Sequence, residues 1–170
     1  QSGVRRALSF DMGGTTAKIC FIDDYAPQLS RNFEFGRMYR FLKGSGLPIR
    51  IPVIEMVEIG AGGGSIARVD DMQRVQVGPD SAGSEPGPAC YARGGTQATV
   101  TDADCAMGYL DPARFAGGRV QLDASLGEHA VARHVGKPLK LDAALSALAV
   151  NEIVTENMAS AARVHAGEVG

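Results

Sequence analysis

Apolar and polar positions alternate in short runs through the first hundred residues, then give way to wider, helix-spaced repeats. Ala7 to Asp11 and Ala17 to Asp23 both read as strands, and Met12 to Thr16 between them predicts a β-hairpin. The alternation in this pair is partial, which predicts that at least one of the two strands is buried on both faces. From Tyr25 to Leu47 the pattern is weak, with a strand expected near Asn32 to Phe35 and a loop after it. Pro48 and Pro52 punctuate an extended segment, Ile49 to Ile54, and Met56 to Ile59 runs into Gly60-Ala61-Gly62-Gly63-Gly64-Ser65. Ile66 to Asp70 and Val75 to Gly78 alternate around Asp71-Met72, a second hairpin. The last third changes period. Thr101-Asp102 reads as a cap before a helix over Ala103 to Leu110, and Ser125 as the cap of a helix to about Val135, stopped by Gly136 and Pro138. Asp142 caps a long helix in which Leu145, Leu148, Ile153, Val154, Met158 and Ala161 or Ala162 trace one face.

Composition narrows the class. The chain has 170 residues, 45% of them hydrophobic and 21% charged, with a net charge of −2. That is enough for one domain with a real core and fits a folded, soluble protein. No basic stripe is present, so nucleic acid is not an expected partner. No apolar run approaches the ~20 residues of a membrane span, and no signal peptide is visible. The three cysteines form no CxxC pair, which fits reduced thiols in the cytoplasm, with Cys20 and Cys105 expected in the core. The start at Gln1 and the stop at Gly170 suggest a piece of a longer chain.

The 22 glycines are the outlier, because they crowd into a few places. Pro79 to Gly95 carries Cys90 and Tyr91 within its Gly/Pro/Ser-rich string, and is expected to be an ordered loop rather than a linker. Gly13-Gly14-Thr15-Thr16-Ala17-Lys18 lacks P-loop spacing, and Gly60 to Ser65 lacks the third glycine and the following helix of a dinucleotide fingerprint. A hairpin turn remains as a phosphate device. Asp11 at a strand end followed by Gly13, Gly14 and Thr15 would lay a phosphate against bare backbone N–H groups. The hydroxyl of Thr15 or Thr16 could donate to it, and Asp11 could hold Mg²⁺ or orient an attacking water. An ordinary glycine turn explains the same residues, and the spacing alone leaves both readings open. Gly62, Gly63 and Gly64 form either a second loop toward a ligand or a place where backbones cross closely. Lys18 reads as a solvent-facing charge, and Glu58 and Asp102 as further carboxylates, with Asp102 already explained as a cap. Gly63-Gly64-Ser65-Ile66-Ala67 loosely fits a nucleophile elbow, but a strand pattern follows where a helix is needed. His129, His134 and His165 all fall on surface-type helical segments, and the spacing of the first two does not suit a metal.

Four stretches carry a family resemblance: "SFDMGGTTAKICFI", "RIPVIEMVEIGAGGGSIARVD", "VGPDSAGSEPGPACYARGGTQATVTDAD" and "ENMASAARVH". Together they resemble consecutive segments of the hydantoinase A / 5-oxoprolinase family, which includes N-methylhydantoinase A and an acetone carboxylase subunit. The resemblance implies an α/β fold, a ribonuclease-H-like lobe fragment of the actin/sugar-kinase/Hsp70 ATPase superfamily, with β-hairpins followed by C-terminal helices. Residues 1–170 would be one fragment from the middle of a longer subunit, 1–100 mainly β and 101–170 mainly helical. It implies ATP, with Mg²⁺, as cofactors in the intact subunit. Asp11 and Thr15 become the catalytic candidates, with Asp11 also the metal candidate. Gly13, Gly14, Thr15, Thr16, Gly62, Gly63 and Gly64 become the nucleotide-binding candidates. The implied activity is ATP-dependent ring opening of a cyclic amide or imide by carbonyl phosphorylation, beside a B-type subunit and the rest of the A subunit. A ketone carboxylase subunit and a non-catalytic assembly module are the alternatives. The resemblance leaves open which substrate is used.

Overall fold

The computed structural model describes residues 3–30, 33–35, 46–49 and 51–169, a mixed α/β chain with strands as far as Ser81 and helices from Ala89 onward. It divides into two compact units, residues 1–11 with 18–57 and residues 12–17 with 58–170.

The first unit is built on β1 (Ala7–Met12), β2 (Ala17–Asp23) and β3 (Ala26–Pro27), with β8 (Met56–Ile59) also pairing β2. β2 and β3 are antiparallel with Asp23 opposite Ala26, and the two residues between them, Asp24 and Tyr25, both have positive φ. A two-residue turn of that kind matches the right-handed twist of the strands it joins. Arg5 and Arg6 donate to Asp24 and Asp23 from exposed positions. The short strands β4 (Leu29–Ser30) and β5 (Phe33–Phe35) pair antiparallel with β7 (Val53–Ile54) and β6 (Leu47–Ile49). The strand expected near Asn32 is therefore present from Phe33, while the loop expected after it lies outside the described residues. Contrary to expectation, neither hairpin strand is covered on both faces. β1 is exposed along its whole length and, among the described residues, pairs with β2 alone, while β2 fully buries only Ala17 and Ile19. Cys20 is half-buried.

The second unit holds the main core. β9 (Ser65–Val69) and β10 (Val75–Ser81) form the expected hairpin, with Val75 opposite Val69 and Val77 opposite Ala67. Its turn is organised by Asp70, whose carboxylate accepts from the Met72 and Arg74 N–H groups and the Arg74 guanidinium. The Arg74 N–H above all holds the Asp70 carboxyl below its ordinary range. Beyond β10 the Gly/Pro string is ordered, with a 3-10 turn at Ala89–Tyr91 and Cys90 fully buried.

Helix α1 (Val100–Ala106) begins three residues earlier than expected. Thr99 is the N-cap, accepting from the Asp102 N–H, while the Asp102 carboxylate returns to the Thr99 N–H at 2.9 Å and its hydroxyl at 2.8 Å. This capping box satisfies donors that a helix start leaves orphaned. Asp102 also accepts from the N–H groups of Ala89 (3.2 Å) and Cys90 (2.7 Å), so one fully buried carboxylate pins the Gly/Pro loop to the helix. Asp102 is thus structural, and Cys90 is too. Burial first, and the Asp102 charge second, push the Cys90 thiol far above its ordinary range, leaving it inert. Cys105 is buried beside Cys90 and Leu122, as expected of core, and Tyr91 stacks obliquely on Phe115 at 5.7 Å.

Asp123, not Ser125, caps α2 (Ala124–Val131), accepting from the N–H groups of Ser125 and Leu126. The helix does not stop at Gly136. It continues through a π-helical turn, Ala132–Gly136, into α3 (Lys137–Leu139), where Pro138 stands in the first turn and needs no N–H partner. Asp142 opens α4 (Ala143–Val169) as expected, accepting from the Leu145 N–H at 2.7 Å. The buried face of α4 agrees with the expected one only in its second half. Val154 and Met158 are buried as expected, but Ala147 and Val150 face the core in place of Leu145, Leu148 and Ile153, which are exposed. Small residues let α4 lie close to α1, where Asn151 donates to Asp104 at 3.0 Å. His165 is buried rather than on the surface, whereas His129 is exposed and His134 meets the Thr96 carbonyl at 2.9 Å.

Two stability predictions follow from the α1 carboxylates. Asp102→Ala removes the acceptor of four hydrogen bonds inside the protein and should cost about 1–3 kcal/mol for each buried N–H left unpaired, read as a lowered thermal midpoint with increased proteolysis within 79–95. An unchanged midpoint would contradict the pinning. Burial pushes the Asp104 carboxyl above its ordinary 3.8, partly offset by the Asn151 bond. A raised folded-state value means the folded form is favoured below 3.8 and loses that favour as pH rises through the folded value. Asp104→Asn should therefore raise the thermal midpoint at pH 7, with the gain shrinking below pH 4. A lower midpoint at pH 7 would show the charged form to be stabilising.

Candidate functional site

The second unit brings two glycine segments together that stand about fifty residues apart in sequence. The turn after β1 closes with the Gly13 N–H donating to the Thr16 carbonyl at 2.9 Å. Against it lies the segment before β9. The Gly63 N–H donates to the Gly13 carbonyl at 3.0 Å, and the Gly64 N–H to the Gly14 carbonyl at 2.6 Å. Two successive carbonyls thus point the same way, which does not happen in a strand, where they alternate.

The consequence follows from the peptide itself. In a planar trans peptide the N–H points opposite to the C=O. Tying the carbonyls of Gly13 and Gly14 inward therefore turns the N–H groups of Gly14 and Thr15 outward, side by side. Among the described residues, neither of those N–H groups donates to a protein acceptor. Gly13, Gly14 and Thr15 are exposed and Thr16 is half-buried. Two adjacent outward amides at a glycine turn are the elements of an anion-holding nest.

Gly62, Gly63 and Gly64 do something different. Gly62 and Gly64 are buried and all three N–H groups are engaged, that of Gly62 by the Ser65 hydroxyl at 2.9 Å. Their φ values are not positive, so backbone conformation does not demand glycine. Space does. A Cβ on Gly62 would stand 2.6 Å from the Gly13 carbonyl oxygen, 2.7 Å from the Thr15 nitrogen and 2.8 Å from the Gly14 carbonyl carbon. This is the close backbone crossing that the sequence reading left open, and it forms the floor beneath the turn. Ser65, fully buried at the start of a strand, has neither the exposure nor the following helix of a nucleophile elbow.

Asp11 is exposed on β1 and Lys18 on β2, both within the first unit, and Glu58 is exposed on β8. Among the described residues no group of three or more His, Cys, Asp or Glu side chains is placed to hold a metal ion. One exposed carboxylate still suits Mg²⁺ that arrives on phosphates, since this ion keeps several waters and takes few protein ligands. A groove of about 800 Å³ between β10 and α4, lined by residues including Arg74, Gln76, Glu152 and Asn157, contains none of the candidate catalytic, nucleotide-binding or metal residues. The residue the sequence reading missed is Thr101. Its N–H and its hydroxyl both donate to the Gly63 carbonyl, each at 2.8 Å. A Ser/Thr at the second position of a capped helix was the available signal, but its partner 38 positions away was not.

A family model described as hydantoinase/oxoprolinase matches residues 1–167. The chain belongs to the hydantoinase/oxoprolinase family. This family member is 37% identical to the caprolactamase subunit alpha of Pseudomonas jessenii over 161 residues, 95% of the chain and 22% of that protein. It is 36% identical to the acetophenone carboxylase gamma subunit of Aromatoleum aromaticum over 160 residues, 94% of the chain and 21% of that protein. The crystal structure of the ATP-dependent caprolactamase from Pseudomonas jessenii matches with a TM-score of 0.78 at 34% identity, covering 95% of the chain and 22% of its own. Acetone carboxylase in nucleotide-free form, an enzyme of ATP-dependent acetone carboxylation, matches with a TM-score of 0.76 at 27% identity, covering 91% and 21%. The α/β architecture of hairpins followed by helices is therefore that of this family, and the chain spans about a fifth of the length of these relatives. No described helix is long and apolar enough to cross a membrane.

The floor can be tested apart from any activity. Gly62→Ala should lower stability by about 1–3 kcal/mol, because backbone atoms must shift to admit the methyl. Gly14→Ala, whose Cβ meets nothing within 4 Å, should stay within about 0.5 kcal/mol. Equal thermal midpoints for the two variants would refute the crossing.

Proposed function

We propose that this chain is the phosphate-holding part of an ATP-dependent enzyme that opens cyclic amides, one fragment of a longer hydantoinase/oxoprolinase subunit. The observation that carries the reading is the pair of outward N–H groups at Gly14 and Thr15, fixed from beneath through the carbonyls of Gly13 and Gly14. The named activities of the caprolactamase and carboxylase relatives support ATP as the nucleotide.

In this reading ATP supplies the phosphoryl group that makes an amide carbonyl oxygen a leaving group. The Gly14 and Thr15 amides hold a phosphate, and the hydroxyls of Thr15 and Thr16 donate to its remaining oxygens. Preformed donors of this kind cost no reorganisation when negative charge develops. Asp11, two residues before Gly13 in sequence, is the carboxylate that would steer Mg²⁺ or a water. Gly62, Gly63 and Gly64 act by holding the turn's shape rather than by touching the ligand. The relatives are named as alpha, gamma and beta subunits, which supports assembly with a B-type partner and the rest of the A subunit. The unpaired cysteines support a cytoplasmic setting.

The acetophenone and acetone carboxylase relatives favour a second substrate reading, activation of a ketone for carboxylation, with the same use of the turn. One experiment tests both the phosphate role and the substrate class. In the intact subunit, Asp11→Asn should lower ATP hydrolysis by at least about 100-fold while assembly with partner subunits is unchanged. Turnover unaffected and assembly lost would instead make this stretch an assembly module. ATP hydrolysis stimulated by a ketone with bicarbonate, and not by a cyclic amide, would replace ring opening with carboxylation.

A further inference from the structure

We infer that Thr101 is a positioning residue for the phosphate turn, acting through the Gly63–Gly64 peptide on the Thr15 N–H. The inference rests on the reading of that turn as the phosphate site.

Three peptide groups stand in line. The Thr101 N–H and hydroxyl donate to the Gly63 carbonyl, each at 2.8 Å. The other end of that peptide is the Gly64 N–H, which donates to the Gly14 carbonyl at 2.6 Å. The other end of the next peptide is the Thr15 N–H, which faces outward. Hydrogen bonds in such a chain polarise one another, so a donor at one end strengthens the donor at the other.

The hydroxyl is the informative part. As the second residue of α1, Thr101 has an N–H without an intrahelical partner, and the Gly63 carbonyl satisfies it. That carbonyl is then already paired. Helix capping and carbonyl satisfaction are both complete without the side chain, yet the buried hydroxyl adds a second donor to the same oxygen. Two donors from one rigidly capped residue fix the direction of the Gly63 carbonyl, and with it the direction of the Gly64 N–H. The neighbourhood is tight as well. A Cβ on Gly63 would stand 2.7 Å from the Thr101 hydroxyl oxygen, with nothing else within 4 Å. A methyl at position 63 would therefore disturb this hydroxyl specifically.

The test uses the intact subunit in its assembled complex, with ATP as the varied substrate. Thr101→Val keeps the shape and the N–H but removes the hydroxyl, and should raise KM for ATP about 3- to 10-fold with a smaller change in kcat. Thr101→Ser restores the hydroxyl and should bring KM back to within about twofold. A purely structural Thr101 predicts that both variants lose stability while KM for ATP stays level, and that result overturns the inference. If Thr101→Val does not fold, Gly63→Ala displaces the hydroxyl instead and should raise KM similarly. Combined with Thr101→Ala it should add little, because both changes act through one contact. Unchanged KM in Gly63→Ala also overturns it. Gly14→Val separates this inference from the reading beneath it. A Gly14 variant that weakens ATP binding beside a silent Thr101→Val refutes the positioning role alone. A silent Gly14→Val refutes the phosphate site and the positioning role with it.

Discussion

The direction of two carbonyl groups, those of Gly13 and Gly14, governs what this chain can do. A glycine turn free on all sides would sample many arrangements, and its amides would face a ligand only part of the time. Here the Gly63 and Gly64 N–H groups hold both carbonyls, and peptide planarity converts that constraint into an outward pair of donors. The outward donor pair is thus made on the side opposite to the one where the protein invests its contacts. Glycine is needed on the inner side because a Cβ at Gly62 would occupy the space of the Gly13 carbonyl.

Helix α1 is the element that ties this seam to the rest of the second unit. Seven residues make too short a helix to be stable alone, and nearly every position in it is used by a neighbour. Thr101 holds the glycine floor, and Asp102 holds both its own cap and the loop through Ala89 and Cys90. Asp104 meets Asn151 on α4, and Cys105 closes the second apolar cluster. The polar contacts run along its first turn, while Val100 and Ala103 sit in the main core. Loop, floor and long helix are consequently set by a single rigid piece, so a shift of α1 reaches the turn without passing through any flexible joint.

Much of this was legible in the chain, and the boundary of legibility is physical. β1, β2, β9 and β10 follow from alternation, and the Asp142 start of α4 from capping chemistry, because both signals are local. The caps at Thr99 and Asp123 were each displaced by two residues. Thr99, Thr101 and Asp102 can all cap, as can Asp123 and Ser125, and the choice is made by which backbone N–H each oxygen reaches. The face of α4 was partly misjudged for a related reason. Helical spacing suggested Leu145, Leu148 and Ile153 beside Val154 and Met158, yet Ala147 and Val150 are the buried hydrophobic residues of the first turns. The exposure of β1 depends on what packs against the sheet's faces, which alternation along the strand does not encode. The glycine crossing was visible only as two glycine-rich strings, since nothing local in Gly60 to Gly64 names Gly13 as its partner.

A site made of peptide groups has a further property. Main-chain N–H donors recognise an anion by charge and geometry and carry no information about what is attached to it. A phosphate turn of this kind can stay the same while the groups that select a lactam or a ketone change elsewhere. Relatives named for caprolactam, acetone and acetophenone match this stretch at 27% to 37% identity, and the caprolactamase and acetone carboxylase structures share its fold. The shared part is then expected to be the turn, its floor and the helix that fixes the floor. If the turn holds a phosphate as proposed, selectivity among substrates belongs to side chains outside the Gly13 to Gly64 seam, and the seam would set only how firmly that phosphate is held.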